Sequence, residues 1–419
     1  MMVAASLATL TACSSSGGTT PKDADLVRAD AARATVGQAD LTAAAQSTNA
    51  FGLDIFHAVA DEKSTNVMVS PTSLATVLAM LLPGAGGQTA AEMTKTLHSP
   101  LPAAQFANAL GALNQNTVQR ALADKADLQQ YDSTWTQKGY QLQQPYLKAL
   151  AAAFDTGVHE TDFAGAPESA RQTINEAVQD QTKGLIKDLF PQGTITADTR
   201  LALTDALYFK AKWADSFAKG DTSDRSFDLL NGSSADVPTM AQDAEFAYSE
   251  GDGWQYAELP YQQNHLAMGI VLPASGSFDG FRKGLTADKL SSMTGSAYNV
   301  KVDLQLPKFT FDTSLQLKDQ LAALGMTSLF NADQADLSGI PATPEKLSVS
   351  TVVQKTHVAV DEEGTTAAAA SGVGVAAGAA PGQVSKTIVM HVDRPFLFLI
   401  RDTVSGQILF LGQVTDPRG

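Results

Sequence analysis

The chain has 419 residues, 44% of them apolar, and its 44 acidic against 29 basic side chains give a net charge of -15. That is ample material for a large core, while the negative balance argues against nucleic acid or an anionic membrane face as a partner. No run approaches the ~20 consecutive apolar residues of a membrane-spanning helix.

The only cysteine is Cys13, in Leu10-Thr11-Ala12-Cys13, followed by Ser14-Ser15-Ser16-Gly17-Gly18. This stretch resembles a bacterial lipobox, so residues 1–12 are expected to be a truncated lipoprotein signal, cut before Cys13. Acyl chains on that thiol would anchor the mature chain to a membrane, making it an extracellular, cell-surface lipoprotein, or otherwise a secreted protein. The absence of any other cysteine excludes intrachain disulfides and thiolate metal sites. Residues 13–45, polar, Ala-rich and punctuated by Gly and Ser, read as a flexible tether, with one domain over 46–419.

The periodicity predicts a helix over Asn49–Ala60, a short strand at Asn66–Val69, and a helix that Ser70 caps and Pro71 begins. Leu74, Val77, Leu78 and Leu81 form its stripe, and Pro83-Gly84 stops it. Residues 141–153 and 168–189 are helical in pattern, and Arg200–Lys210 reads as a buried strand. From Asn299, Val300, Val302, Leu304 and Leu306 alternate with polar residues, which predicts a half-solvated strand. A helix is expected next, capped by Thr313 or Ser314, striped by Leu317, Leu321 and Leu324, and ended by Gly325. Val349–Val360, Thr387–Val392, Phe396–Arg401 and Gln407–Val414 read as strands, the last two joined through Ser405-Gly406.

Between two of these strands lies a long segment of small residues. After Glu363 no charged or aromatic residue appears before Lys386. Such residues enter crowded strand positions with little steric objection, yet offer little apolar area to hold a loop in place. Only 38 residues follow Pro381, too few for a separate core, so both flanks belong to one fold. The stretch is expected to be an exposed, protease-accessible loop, and helices crowding the first half with strands in the second predict an α+β class.

Competing motifs are weak. Gly372-Val-Gly374 lacks the following helix of a dinucleotide site, and Gly84-Ala-Gly86-Gly87 follows a helix with no Lys-Ser/Thr after it. His357 and His391 sit in strand patterns, Ser70 has no adjacent base, and no metal or cofactor motif is present.

Eight strings in order resemble the serpin family: Asn66-Val-Met-Val-Ser-Pro-Thr-Ser-Leu-Ala75, Ile174-Asn-Glu176, Ala206-Leu-Tyr-Phe-Lys-Ala-Lys-Trp213, Glu258-Leu-Pro-Tyr261, Leu306-Pro-Lys-Phe309, Ala335-Asp-Leu-Ser-Gly339, Val360-Asp-Glu-Glu-Gly-Thr365 and Asp393-Arg-Pro-Phe-Leu-Phe398. The resemblance implies three β-sheets, about nine helices and an exposed reactive-centre loop over 362–386. It also implies a monomeric serine protease inhibitor, not an enzyme, that acts as a suicide substrate without a cofactor. Cleavage traps the protease as an acyl-enzyme while the freed loop enters the main sheet. The implied hinge is Glu362, Glu363, Gly364, Thr365, Thr366, Ala367, Ala368, Ala369 and Ala370, and a charge at Thr365, Ala367, Ala369 or Ser371 is expected to stall insertion.

Family spacing puts the scissile bond 14 residues after Gly364, at Gly378-Ala379, with Ala376 and Ala377 as alternatives; counting back from Arg394-Pro395 gives Val384. Small residues at this bond favour elastase-like or subtilisin-like proteases. Where the family has two serines, an asparagine and a histidine under the sheet opening, this chain has Ser70, Ser73, Asp205 and Gln354, and a Gln amide can donate to the Asp carboxylate. Glu362 aligns with the family's acid that pairs with Lys308, and the resemblance implies that this pair would hold the sheet top around Trp213 closed. The alternative is a non-inhibitory serpin acting as a binding or chaperone-like surface protein.

Overall fold

The computed structural model describes residues 26–60, 66–342, 344, 346–365 and 387–419. Cys13, Thr366–Ala370 and the Gly378-Ala379 bond with its neighbours Ala376 and Ala377 lie outside these residues. Nine α-helices are present among the described residues: α1 (Gln38–Val59), α2 (Pro71–Leu81), α3 (Gly87–Thr96), α4 (Ala103–Ala123), α5 (Gln144–Phe154), α6 (Pro167–Gln181), α7 (Phe278–Lys283), α8 (Ala287–Gly295) and α9 (Lys318–Ala323).

The main sheet runs β1 (Leu26–Val27), β4 (Val158–Thr161), β3 (Asp127–Gln137), β5 (Leu201–Lys212), β13 (Gly364–Thr365), β12 (Thr351–Asp361) and β11 (Phe309–Gln316). A second sheet runs β14 (Ile388–His391), β10 (Tyr298–Pro307), β7 (Ser234–Gly251), β8 (Trp254–Pro260), β9 (Leu266–Pro273), β15 (Phe396–Asp402), β16 (Ile408–Val414) and β2 (Val67–Val69), with β6 (Ser223–Asp228) on β7. The three sheets expected are thus two hydrogen-bonded ones. The cause is β7, whose 18 residues pair with β10 over Thr239–Tyr248 and run on to pair with β8 from Ala247 to Gly251, so two sheets share one strand.

Both faces of the main sheet are covered. On one, α6 lays Ile174 and Val178 against Tyr131, Trp135, Ala202 and Ala206; on the other, Leu207, Phe209 and Ala211 join the core of the second sheet. Because β5 is buried on both faces, it reads as an almost unbroken apolar run rather than an alternation. Helix α2 is buried at every position. Its Ser70 cap forms as expected, the side chain accepting from the Ser73 amide, and Pro71 opens the first turn.

Two expectations are corrected. Thr313 and Ser314 cap no helix, because the period of two resumes after Lys308: Phe309, Phe311 and Thr313 are buried along β11, and α9 begins only at Lys318. The tether expected over 13–45 is folded from Leu26 onward. Leu26 and Val27 pair with His159 and Val158 at the sheet edge, Arg28 forms an ion pair with Asp155, and α1 starts at Gln38. Backbone pairing and the guanidiniums of Arg28 and Arg33 hold this segment, and composition carries neither signal.

Candidate functional site

Strands β5 and β12 are parallel neighbours only over part of their length, from Ala202 opposite Thr351 to Leu207 opposite Thr356. Beyond that point they part, and β13 occupies the space between their upper ends. Gly364 pairs with Asp361 and Lys212, and Thr365 with Val360 and Ala211, antiparallel on both sides. The small-residue segment therefore begins inside the sheet.

The turn that delivers it has Glu362 and Glu363 between the paired Asp361 and Gly364. The Asp361 carboxylate accepts from the amides of Glu363 at 2.9 Å and Gly364 at 3.2 Å, the local bonding by which aspartate favours a tight reversal. Each glutamate is tied down. Glu362 accepts from Lys308 Nζ at 2.9 Å and Thr222 Oγ1 at 2.8 Å, while Glu363 accepts from Lys219 Nζ at 2.8 Å. Burial opposes ionisation of Glu362, but its bonds from Lys308, the backbone and Thr222 outweigh it and hold the carboxyl below its usual range.

Trp213, at the upper end of β5, binds the same turn. Its indole N–H donates to the Asp361 carbonyl at 2.9 Å and its amide to the Glu363 carbonyl at 3.0 Å, and the ring stacks on Tyr261 at 4.8 Å. Tyr261 in turn meets Thr365, hydroxyl to hydroxyl, at 2.6 Å. Thr365 is 1% exposed. At Gly364 only glycine fits, since a Cβ would stand 2.0 Å from the Ala211 carbonyl oxygen.

Lys308, Glu362 and Trp213 are thus brought together as expected. The loop expected to be exposed from residue 362 is corrected at its base: Glu362, Glu363, Gly364 and Thr365 are all buried. A hairpin turn and two pairs of strand bonds fold them in. Sequence reasoning missed Tyr261, Thr222 and Lys219 as partners of the hinge. Tyr261 stood in a recognised string, Glu258–Tyr261, that gave it no role.

Lower in the sheet, Ser70, Ser73, Asp205 and Gln354 converge with none of them exposed. Gln354 reaches from β12 to β5, its amide donating to Asp205 Oδ2 at 2.7 Å and to the Ser70 carbonyl at 3.0 Å, while its oxygen accepts from the Ser70 amide at 2.9 Å. The substituted partners keep a closed cluster across the seam between these strands. A fifth member was missed: Asp132 on β3 lies opposite Asp205 and meets Ser73 Oγ at 2.6 Å. The signal available was an acid at an inward position of an unrecognised strand. His357 and His391 are ordinary strand residues, facing Asp312 at 2.7 Å and Asp303 at 3.4 Å.

Comparison with known proteins agrees with this arrangement. A sequence-family model described as serpin (serine protease inhibitor) matches residues 46–417. An uncharacterized serpin-like protein of Thermococcus kodakarensis is 37% identical over 371 residues, covering 88% of this chain and 85% of its own. A leukocyte elastase inhibitor of Xenopus laevis is 35% identical, covering 88% of this chain and 97% of its own. Among solved structures, the thermophilic serpin tengpin in its native state superposes with a TM-score of 0.81 at 26% identity, covering 93% of this chain and 97% of that one.

Proposed function

Because this chain belongs to the serpin family, a family of serine protease inhibitors, we propose that it inhibits its target as a suicide substrate, by strand insertion into the main sheet. The observation that carries this reading is the seating of Gly364 and Thr365 between β5 and β12. A chain continuing downward from Thr365 has a strand waiting on each side. Its entry would exchange one parallel ladder, Ala202–Leu207 against Thr351–Thr356, for two antiparallel ones, and parallel pairing is the weaker per residue. Uncleaved, the loop is held at both ends, so cutting it is what frees the strand.

Gly378 and Ala379, with Ala376 and Ala377 beside them, make an elastase-like or subtilisin-like protease the favoured target, and a relative named for leukocyte elastase is consistent with that. Elastase, subtilisin and trypsin should each be mixed with the protein and resolved on denaturing gels. A protease complex that survives boiling, with release of a peptide beginning near Ala379, supports the reading. Cleavage without a complex would leave a non-inhibitory, binding or chaperone-like role.

A further inference from the structure

Ser73 has one hydroxyl hydrogen, yet its Oγ lies within bonding reach of two carboxyl oxygens: Asp132 Oδ1 at 2.6 Å, and Asp205 Oδ1. The two aspartates are direct cross-strand partners on β3 and β5, and Asp205 is fully buried. Their outer oxygens already accept amide hydrogens, Asp205 Oδ2 from Gln354 and Asp132 Oδ2 from Gln130. The Gln354 orientation is fixed, because its oxygen takes the Ser70 amide. With both carboxyls ionised, Ser73 Oγ would turn a lone pair toward one of them, and two negative charges, Asp205 fully buried and Asp132 half-buried, would stand side by side. A single proton on one inner oxygen removes both conflicts: that carboxyl donates to Oγ, and Oγ donates to the other.

We propose that Asp132 and Asp205 share one proton through Ser73, and that losing it as pH rises loosens the β3–β5 seam of the main sheet. Few charged or titratable groups face the pair. Helix α2 offers Ser70, Ser73 and Thr76, α4 offers Asn114, and β12 offers Gln354. A cavity of about 480 Å³ lined by Asp132 also reaches Arg33 from the N-terminal segment, Asp155 after α5, His159 on β4 and Tyr131 on β3, and it opens toward the surface, a route for the proton. Arg33 is engaged with the Gly111 carbonyl and Gln115, and His159 stacks on Trp135 at 4.4 Å.

Burial pushes both carboxyls up. The neighbouring Asp205 charge adds to this for Asp132, while bonds from Ser73 and Gln354 restrain Asp205, which stands at about 7. A carboxyl raised in the folded chain binds its proton more tightly there than when unfolded. Its stabilisation is therefore full below the unfolded value of about 3.9 and is lost as pH rises through the folded value.

Asparagine keeps the shape of aspartate and supplies hydrogens of its own, so Asp132→Asn and Asp205→Asn are the informative variants. Each should melt above the wild type, with a gap that widens from about pH 5 to about pH 8 and reaches roughly 2 °C or more. Infrared spectra of the wild type should show the carbonyl stretch of a buried protonated carboxyl at neutral pH, fading as pH rises and absent from either variant. Should a variant fail to fold, the titration of that band in the wild type decides alone. Absence of the band at neutral pH, or a melting gap that does not change with pH, overturns the proposal. Neither readout needs a protease, so this pair and the insertion reading stand or fall separately.

Discussion

The hydroxyls of Tyr261 and Thr365 meet at 2.6 Å inside the upper end of the main sheet, tying the first residues of the loop to the strand system before any cleavage. Burial pushes the Tyr261 phenol far above its ordinary value, so it is neutral at any working pH. Thr365→Val would leave that phenol without its partner and should lower stability by about 1–3 kcal/mol, the range for a buried polar group left unpaired. Thr365→Arg should expel β13, because Thr365 is buried in the uncleaved sheet, and lower the melting temperature further. Differential scanning of both variants, uncut and cut, would measure this; an uncut Thr365→Arg protein that melts with the wild type would refute it.

Gly364→Ala tests the same seating by steric means. Its methyl would meet the Ala211 carbonyl oxygen at 2.0 Å, so the hairpin must leave the sheet or β5 must shift. Faster hydrogen exchange at the Trp213 and Phe217 amides, which bond to the Glu363 and Glu362 carbonyls, is the expected outcome. Unchanged protection at both would contradict it.

Lys308→Met removes the cation from Glu362 and should cost up to about 2 kcal/mol near neutrality, since the lysine is partly exposed and partly screened. The Glu362 carboxyl is held low in the folded chain, so the pair stabilises above the unfolded glutamate value of about 4.3 and ceases to do so as pH falls through the folded value. The difference between variant and wild type in urea melts should therefore shrink on acidification. A difference that grew there would have the wrong sign.

Cleaved protein should resist heat far better than intact protein. Insertion would add ladder bonds on both flanks of the new strand, each worth about 0.5–1.5 kcal/mol net, so the gain exceeds any single contact. A cleaved form with an unchanged melting curve would remove strand insertion from this chain.

Lipid anchoring at Cys13 is a proposal that rests on the lipobox-like string alone. Expressed behind a bacterial lipoprotein signal joined at Cys13, the protein should partition into detergent, and Cys13→Ala should abolish this. Equal partitioning of the two forms would dismiss it.

Patterned elements were legible in the sequence. The Ser70 cap, the alternation of β10 and the final three strands follow from periodicity and turn residues, as local signals should. What escaped were features fixed by distant partners. Nothing local in Leu26-Val27-Arg28 announces an edge strand beside Val158, and nothing in Asp132 announces Asp205 across the sheet, 73 positions away. The Lys308–Glu362 and Gln354–Asp205 contacts were found because they fall on positions where the family resemblance supplied the pairing. Tyr261 and Thr222 had no such guide. The hinge base looked mobile by composition, yet its stability comes from backbone pairing and two pinned glutamates, which composition does not record.

The seated Gly364 and Thr365 also bear on speed. Starting a new strand is slow because the first pairs must repay the entropy of gathering a free chain, whereas each later pair only extends a zipper already begun. Here the nucleus exists in the resting molecule, flanked by partners on both sides. The hydrolytic clock of an acyl-enzyme would therefore run against propagation alone: the unzipping of six residue pairs between β5 and β12 and their replacement from above. Substitutions along that seam should alter how many inhibitor molecules are consumed per protease captured, while leaving the rate of first encounter untouched.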